Sequence, residues 1–133
     1  MIFVDTSFWV AAGMVSDAHH SEAATLLAEV GETSLVTSNH VRGEAWTFFR
    51  RRAGHRAAVD FLDRLQRSEL VRLIAVTQKQ EADAIRWLRR HDEREYSFVD
   101  ATSFELMRSM RIRDALAFDG DFTAAGFQEL WPA

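Results

Sequence analysis

The sequence contains no cysteine and only one proline, Pro132. The absence of cysteine excludes a disulfide framework and a metal site built from thiolates. There is no Gly/Ser-rich linker, low-complexity tract or internal repeat that would divide the 133 residues into separate units. A hydrophobic content of 47% and a charged content of 27% are typical of a globular chain. We therefore expect a single domain over residues 1–133.

Long hydrophobic runs are also missing. The apolar start, MIFVDTSFWVAAGMV, lacks a basic region and is interrupted by Asp5, so it does not match a signal peptide. No apolar stretch approaches the ~20 residues that a transmembrane helix requires. These absences predict a protein with no membrane association and a cytoplasmic location.

The chain has no excess of positive charge, because its formal net charge is −4. Such a balance argues at first against a nucleic-acid partner. However, when Asp5, Glu44, Asp100 and Asp119 are set aside, the other 16 acidic residues equal the 16 Lys and Arg residues. If these four carboxylates hold divalent cations, the functional surface is much less negative than the sum. The net charge therefore does not decide the partner.

Short apolar segments alternate with amphipathic segments along the chain. The pattern predicts strands at 1–4, 34–36, 70–76, 96–99 and 114–118. It predicts helices at 6–14, 19–30, 41–52, 56–67, 79–91 and 101–110, with Thr37 and Ser38 as helix N-caps. This alternation indicates an α/β fold, a three-layer α/β/α sandwich with a mainly parallel central sheet.

Three aspartates share one local pattern, an apolar strand followed by Asp and then a helix. Asp5 follows IFV, Asp100 follows SFV and Asp119 follows ALAF. Ligands bind at the carboxyl edge of a parallel sheet, so neighbouring strands would bring the three carboxylates together there. Glu44, in the helix after the second strand, could reach the same edge. The alternative stays open for each aspartate, because Asp before a helix is a favoured N-cap, and Glu44 could be a solvated helix residue.

A carboxylate cluster of this kind suits Mg²⁺ or Mn²⁺, since both are hard cations that prefer oxygen ligands. Such a cation can polarise a phosphodiester and activate an attacking water. Carboxylates held close together also repel one another unless a cation neutralises them. The pattern therefore predicts either a metal-dependent phosphodiesterase or a set of ordinary helix N-caps, and spacing alone does not choose between them.

Four segments, in this order and spacing, carry a family resemblance: IFVDTSFWVA, NHVRGEAWTFFRR, SFVDATSFELM and ALAFDGDFTAAGFQEL. They resemble the PIN-domain ribonucleases, and most of all the VapC toxins of bacterial toxin–antitoxin pairs. The resemblance covers essentially the whole chain. It implies an α/β/α fold and an acidic endoribonuclease site dependent on Mg²⁺ or Mn²⁺. By position, Asp5, Asp100 and Asp119 match the metal-binding aspartates and Glu44 the glutamate carried by a helix.

The same resemblance implies supporting residues and partners. Thr6 matches a hydroxyl position that orients a carboxylate or water, although plain N-capping explains it equally well, and Asp121 has at most a supporting role. Trp9, Trp46 and Phe49 resemble the groove that accepts an antitoxin, with core packing as the alternative. The partners implied are an RNA substrate, a small cognate antitoxin and a second copy in a homodimer.

These observations lead to one interpretation and two alternatives. The leading interpretation is a toxin endoribonuclease that hydrolyses RNA phosphodiesters with a metal-activated water. The first alternative is a housekeeping PIN-like nuclease that processes RNA and has no antitoxin. The second is a non-catalytic PIN-like module that binds nucleic acid or protein. Co-purification with a small partner, or growth arrest on expression alone, separates toxin from housekeeper.

Overall fold

The computed structural model describes all residues, 1–133. Its elements, in chain order, are β1 (Ile2–Val4), α1 (Thr6–Gly13), α2 (His20–Val30), β2 (Leu35–Ser38), α3 (Asn39–Arg52), α4 (His55–Arg67), β3 (Val71–Ile74), α5 (Gln78–Arg90), α6 (Phe98–Met110), β4 (Asp114–Leu116), α7 (Asp121–Ala124) and β5 (Gln128–Glu129). None of the helices combines the length and apolar character that crossing a membrane requires.

All five strands form one sheet in the order β3-β2-β1-β4-β5. Every pair of neighbours is parallel, with Phe3 of β1 opposite both Val36 of β2 and Ala115 of β4. The prediction of an α/β fold with a mainly parallel sheet is confirmed. Because β1 lies between β2 and β4, the carboxyl ends of β1 and β4 are adjacent.

The central strand shows how the sequence builds three layers. Ile2 and Val4 point to one face of the sheet, where they pack with α1 and α2, while Phe3 points to the other and packs with α5 and α6. All three side chains are buried. A strand covered on both faces is therefore apolar throughout rather than alternating.

The predicted strand at 96–99 is wrong. Residues from Phe98 onward belong to helix α6, so Asp100 lies in the first turn of a helix and not at the end of a strand. The reason is a capping box: Ser97 Oγ accepts from Asp100 N at 2.9 Å, and Asp100 Oδ2 accepts from Ser97 N at 2.9 Å. This reciprocal pair satisfies two backbone donors and starts the helix at Phe98.

Only one of the two predicted caps before α3 has that role. Ser38 Oγ accepts from Val41 N at 3.0 Å and caps the helix. Thr37 is fully buried and instead donates its hydroxyl to the Val4 carbonyl, at 2.9 Å, between β2 and β1. The edge strand β5 is absent from the predicted elements, since two residues are too short to give a periodic pattern.

Candidate active site

Asp5 lies where β1 ends and α1 begins. It is only 2% exposed, and its Oδ2 accepts two hydrogen bonds from Ser7, from the backbone N at 3.1 Å and from Oγ at 2.7 Å. Asp5 is thus the N-cap of α1. Its Oδ1 accepts no hydrogen bond from the protein. Capping therefore occupies one carboxylate oxygen and leaves the other available.

Asp100 and Asp119 repeat this arrangement. Asp100 is buried and accepts from the backbone N of Ser97 through Oδ2. Asp119 follows β4, and its Oδ1 accepts from Asp121 N at 3.1 Å. In each of the three aspartates one oxygen is anchored to a backbone N–H, which fixes the carboxylate, while the second has no protein donor.

The carboxylates lie close together. Asp100, Asp119 and Asp121 each offer one oxygen, and these oxygens lie within 4.8 Å of one another. Asp5 is not in this group of three, although its carboxylate lies near enough to feel the charges of Asp119 and Asp100. Burial, reinforced by the negative charges of Asp119 and Asp100, raises the pKa of Asp5 to about 8. Burial, with Asp119 and Asp121 nearby, raises the pKa of Asp100 to about 7. Partial withdrawal from water, with Asp121 and Glu129 nearby, raises the pKa of Asp119 to about 6.

This site fits a hard divalent cation. Three anchored carboxylates supply free oxygens and no nitrogen or sulfur ligand, which is the ligand chemistry that Mg²⁺ and Mn²⁺ prefer. The pKa values of these acids are raised because ionising all of them together is unfavourable, so they hold protons more tightly than isolated carboxyl groups do. A bound cation would replace these protons and remove the repulsion.

Asp121 is held by a cation of the protein itself. Its Oδ1 accepts from Arg94 Nε at 2.9 Å, and Arg94 Nη2 lies 2.9 Å from the same oxygen. The guanidinium also donates to the Asp119 carbonyl at 3.4 Å. Arg94 thus neutralises Asp121 and positions the loop that carries Asp119.

Glu44 is half-buried on α3 and is not part of the close oxygen group. It follows His40 by one helical turn, so the two side chains lie on one face. The His40 ring stacks on Phe98 at 5.9 Å, which directs this face toward the start of α6 and Asp100. Thr6, beside Asp5, is buried, and its hydroxyl has no hydrogen-bond partner.

Two residues that hold the site are not among the sequence-based candidates. Ser7 Oγ donates to Asp5 and accepts from Phe118 N at 3.0 Å, so it links the ends of β1 and β4. Glu129 is buried on β5 and accepts from Gly120 N at 3.2 Å and Thr123 N at 3.0 Å. The sequence offers one signal for Ser7, its position two residues after an Asp that can cap a helix. Nothing in the sequence distinguishes Glu129.

An apolar cleft of about 470 Å³ opens between α1, α2 and α4. Trp9 and Phe49, two of the three groove candidates, line it together with Phe61 and Leu65. Trp46 is not in the lining and instead meets His55 edge to face, with centroids 6.0 Å apart. The cleft therefore contains part of the predicted aromatic set.

Comparison with known proteins agrees with this geometry. The pattern of the PIN domain matches residues 2–128. The chain belongs to the PIN-domain family. It is 56% identical over 132 residues to the 23S rRNA-specific endonuclease VapC20 of Mycobacterium tuberculosis, in strains CDC 1551 / Oshkosh and ATCC 25618 / H37Rv, and the match covers 99% of each protein.

A solved structure gives the same result. The crystal structure of M. tuberculosis VapC20, described as a Sarcin-Ricin loop cleaving toxin, is 55% identical to this PIN-domain chain. The TM-score is 0.94, with 99% of this chain and 100% of that chain covered. The resemblance to VapC toxins is therefore confirmed over the whole length.

The raised pKa values of the PIN-domain aspartates predict how stability depends on pH. Since the folded state holds protons that the unfolded chain releases, stability without divalent cations should fall as pH rises from about 5 to about 8. Mg²⁺ should restore more stability at pH 8 than at pH 5.5. Thermal melting in EDTA and in Mg²⁺ checks this, with Asp5→Asn expected to flatten the EDTA profile. An EDTA profile that is the same for both proteins would contradict it.

Proposed function

We propose that this chain is the endoribonuclease toxin of a toxin–antitoxin pair and that it cleaves 23S rRNA in the sarcin–ricin loop. One observation carries the proposal: Asp5, Asp100 and Asp119 each present an unpartnered oxygen at one edge of a PIN-domain sheet. The substrate is inferred from that of the M. tuberculosis VapC20 endonuclease, with which the chain is 55–56% identical. Because that substrate belongs to the ribosome, the reaction would take place in the cytoplasm.

Each acidic residue of the site has a proposed role in cleavage. Asp5, Asp100 and Asp119 would hold Mg²⁺ or Mn²⁺. When bound, the cation supplies Lewis-acid polarisation of the scissile phosphate and a lower pKa for the attacking water. Glu44 would orient that water from α3. Thr6 and Asp121 would support the site, Thr6 through its unpartnered hydroxyl and Asp121 through the anchoring of Asp119.

The alternatives are weaker on specific grounds. A non-catalytic module has no use for buried like charges, which are unfavourable unless a cation or protons compensate them. A housekeeping nuclease accounts for the carboxylates equally well. However, the chain is similar over 99% of its length to a toxin of known structure, and the fold includes a separate apolar cleft suited to a protein partner.

Mapping the cleavage position tests the proposed function. Purified ribosomes and protein-free 23S rRNA are incubated with the protein in Mg²⁺, Mn²⁺ or EDTA, and cuts are located by primer extension. We expect a single cation-dependent cut in the sarcin–ricin loop that Asp100→Asn does not produce. Cleavage spread over many sites, or the same cut with Asp100→Asn, would contradict the proposal.

Ser7→Ala is predicted to slow cleavage without unfolding the protein. The hydroxyl holds Asp5 at 2.7 Å and Phe118 N at 3.0 Å, and its removal releases the carboxylate from its fixed position. Loss of such a supporting contact lowers activity or metal affinity by roughly 10- to 100-fold. Single-turnover rates over a range of Mg²⁺ concentrations measure both effects. A rate within twofold of wild type at every concentration would exclude a positioning role.

The apolar cleft is the proposed antitoxin site. Its lining is mainly hydrophobic, with Trp9 partly exposed, Phe49 buried at 3% exposure as the floor, and the exposed charged residues Asp60 and Arg64. A helix with an apolar face binds grooves of this kind. Gly13 stands beside the Phe49 ring, and an added Cβ would lie 2.7 Å from it. The close approach of α1 to Phe49 therefore depends on glycine.

Leu27→Asp is predicted to weaken antitoxin binding and leave RNA cleavage unchanged. Leu27 is exposed on α2 and lines the cleft, so a carboxylate there would lose its hydration under an apolar partner. We expect the dissociation constant to rise at least about tenfold. Isothermal titration with the cognate antitoxin measures it, and Val15→Asp, exposed and outside the cleft, is the control. Equal affinity for both variants would place the antitoxin elsewhere.

We further propose a homodimer. Leu73 on the edge strand β3 and Ile85 on α5 are exposed apolar side chains that a second copy could cover. Light scattering coupled to size exclusion measures the mass. The proposal fails if the protein elutes as a 15.2 kDa species at all concentrations.

A further inference from the structure

Three aromatic rings form a surface platform beside the active site: His19, Phe118 and Trp131. The His19 and Phe118 rings are stacked, with centroids 4.7 Å apart and 15° between their planes. Trp131 leans on both, 5.3 Å from Phe118 and 5.7 Å from His19. Beneath them Phe8 is fully buried and stacks on Phe118 at 5.7 Å. The platform is thus supported from the core.

The outer part of this platform is free. Trp131 is 51% exposed, although burying so large an aromatic side chain would stabilise the fold. The His19 Nδ1 atom is buried without a hydrogen-bond partner, and the Glu22 carboxylate lies 3.9 Å away. Packing against Phe118 and His19 covers only part of Trp131, so about half of this side chain stays open to solvent.

The platform is directly connected to the catalytic carboxylates. Phe118 immediately precedes Asp119 in the chain, and its backbone N donates to Ser7 Oγ, which in turn donates to Asp5. Trp131 follows β5, which runs parallel to β4, so it emerges at the same edge of the sheet. An RNA strand whose phosphate lies at the aspartates would have a neighbouring nucleotide over these rings.

We propose that the platform of His19, Phe118 and Trp131 binds a base of the RNA substrate by stacking, next to the cleaved phosphate. The proposal rests on the proposed ribonuclease function and adds a substrate-positioning surface to it. Unpaired bases stack on aromatic side chains in most recognition of single-stranded RNA. Trp131 provides the exposed ring, while His19 and Phe118 hold it at the required place.

A base is a better occupant than a protein partner. The platform is continuous with the carboxylates, where the RNA must lie, and shares no residue with the lining of the apolar cleft. Stacking also requires no positive charge, which suits a surface that has Asp119 and Glu22 as neighbours. The RNA backbone would be neutralised at the cation site instead.

Trp131→Ala, compared with Trp131→Phe, tests the proposal. A fluorescently labelled hairpin RNA with the sarcin–ricin loop sequence is titrated in Mg²⁺ against proteins that also carry Glu44→Gln, which keeps the proposed cation ligands and slows cleavage, and binding is followed by anisotropy. Single-turnover cleavage in Mg²⁺ is measured in parallel. We expect Trp131→Ala to weaken binding about tenfold, since it removes one stacked base. Trp131→Phe should bind nearly as wild type does. Phe48→Ala, whose ring is covered by Arg52 at 4.7 Å, serves as the control.

Each other outcome overturns the proposal in a recognisable way. If Trp131→Ala binds and cuts as wild type does, no base stacks here, and the nuclease function stands. If Trp131→Ala keeps RNA affinity but lowers antitoxin affinity or the mass of the assembly, the platform is a protein contact. If wild type neither binds nor cuts the hairpin or the ribosome, the proposed function fails and the platform proposal fails with it.

Discussion

Asp5→Asn is expected to reduce RNA cleavage by about a thousandfold or more, because the reaction would lose several kcal/mol of cation-dependent stabilisation. The amide keeps the size of the side chain and can still cap α1 through its oxygen. It removes the charge that a divalent cation requires. Since the buried carboxylate is under repulsion from Asp119 and Asp100, the variant should melt no lower than wild type in EDTA at pH 8. Single-turnover cleavage and thermal melting are the measurements.

A matched control separates catalysis from capping. Asp17 also accepts a local backbone hydrogen bond, through Oδ1 from His19 N at 2.8 Å, but it lies in the loop between α1 and α2 and does not follow a strand of the sheet. Asp17→Asn should therefore cleave as wild type does. If Asp5→Asn keeps its activity, or if Asp17→Asn loses as much, the aspartate at the end of β1 is a helix cap without a catalytic role.

Phe104→Ala is expected to destabilise the fold by about 3–5 kcal/mol, the usual range for a fully buried phenylalanine. Phe104 is the centre of an aromatic cluster. Its ring lies 5.2 Å from Trp87, 5.8 Å from Tyr96, 5.0 Å from Phe122 and 5.5 Å from Phe127. Removing it leaves a cavity that these large rings fill poorly. Urea denaturation measures the loss.

The same cavity lies one helical turn beyond Asp100, so activity should fall together with stability. Phe104→Leu restores most of the volume and should cost only about 1 kcal/mol. A loss below about 1 kcal/mol for Phe104→Ala would mean that the ring cluster does not support α6.

Most of the fold follows from the sequence, because apolar strands alternate with helices and each strand is covered on both faces. The error at 96–99 has a local cause. The apolar triplet before Asp100 satisfies the strand pattern, but the reciprocal bonds between Ser97 and Asp100 satisfy two backbone donors and start a helix. The pattern Ser-x-x-Asp is therefore better treated as a capping signal.

The site is predictable only in part. Asp5 and Asp119 are brought together because β1 and β4 are neighbours in the sheet. The apolar strand before each aspartate is visible in the sequence and indicates that both lie at the carboxyl edge. Asp100 reaches the cluster from a helix, so its place depends on how α6 packs. Ser7 accepts a hydrogen bond from Phe118, which is 111 positions later in the chain. Glu129 accepts from Gly120 and Thr123, 9 and 6 positions earlier, and the local sequence pattern does not indicate such contacts.

Locating the cation tests the central claim most directly. Crystals soaked in Mn²⁺ are examined by anomalous diffraction, with wild type and Asp5→Asn compared. We predict a peak in wild type among the carboxylates of Asp5, Asp100 and Asp119, and its loss or marked weakening in Asp5→Asn. The absence of a peak among these carboxylates in wild type, while the same protein still cleaves RNA, would contradict the claim that they form the metal site.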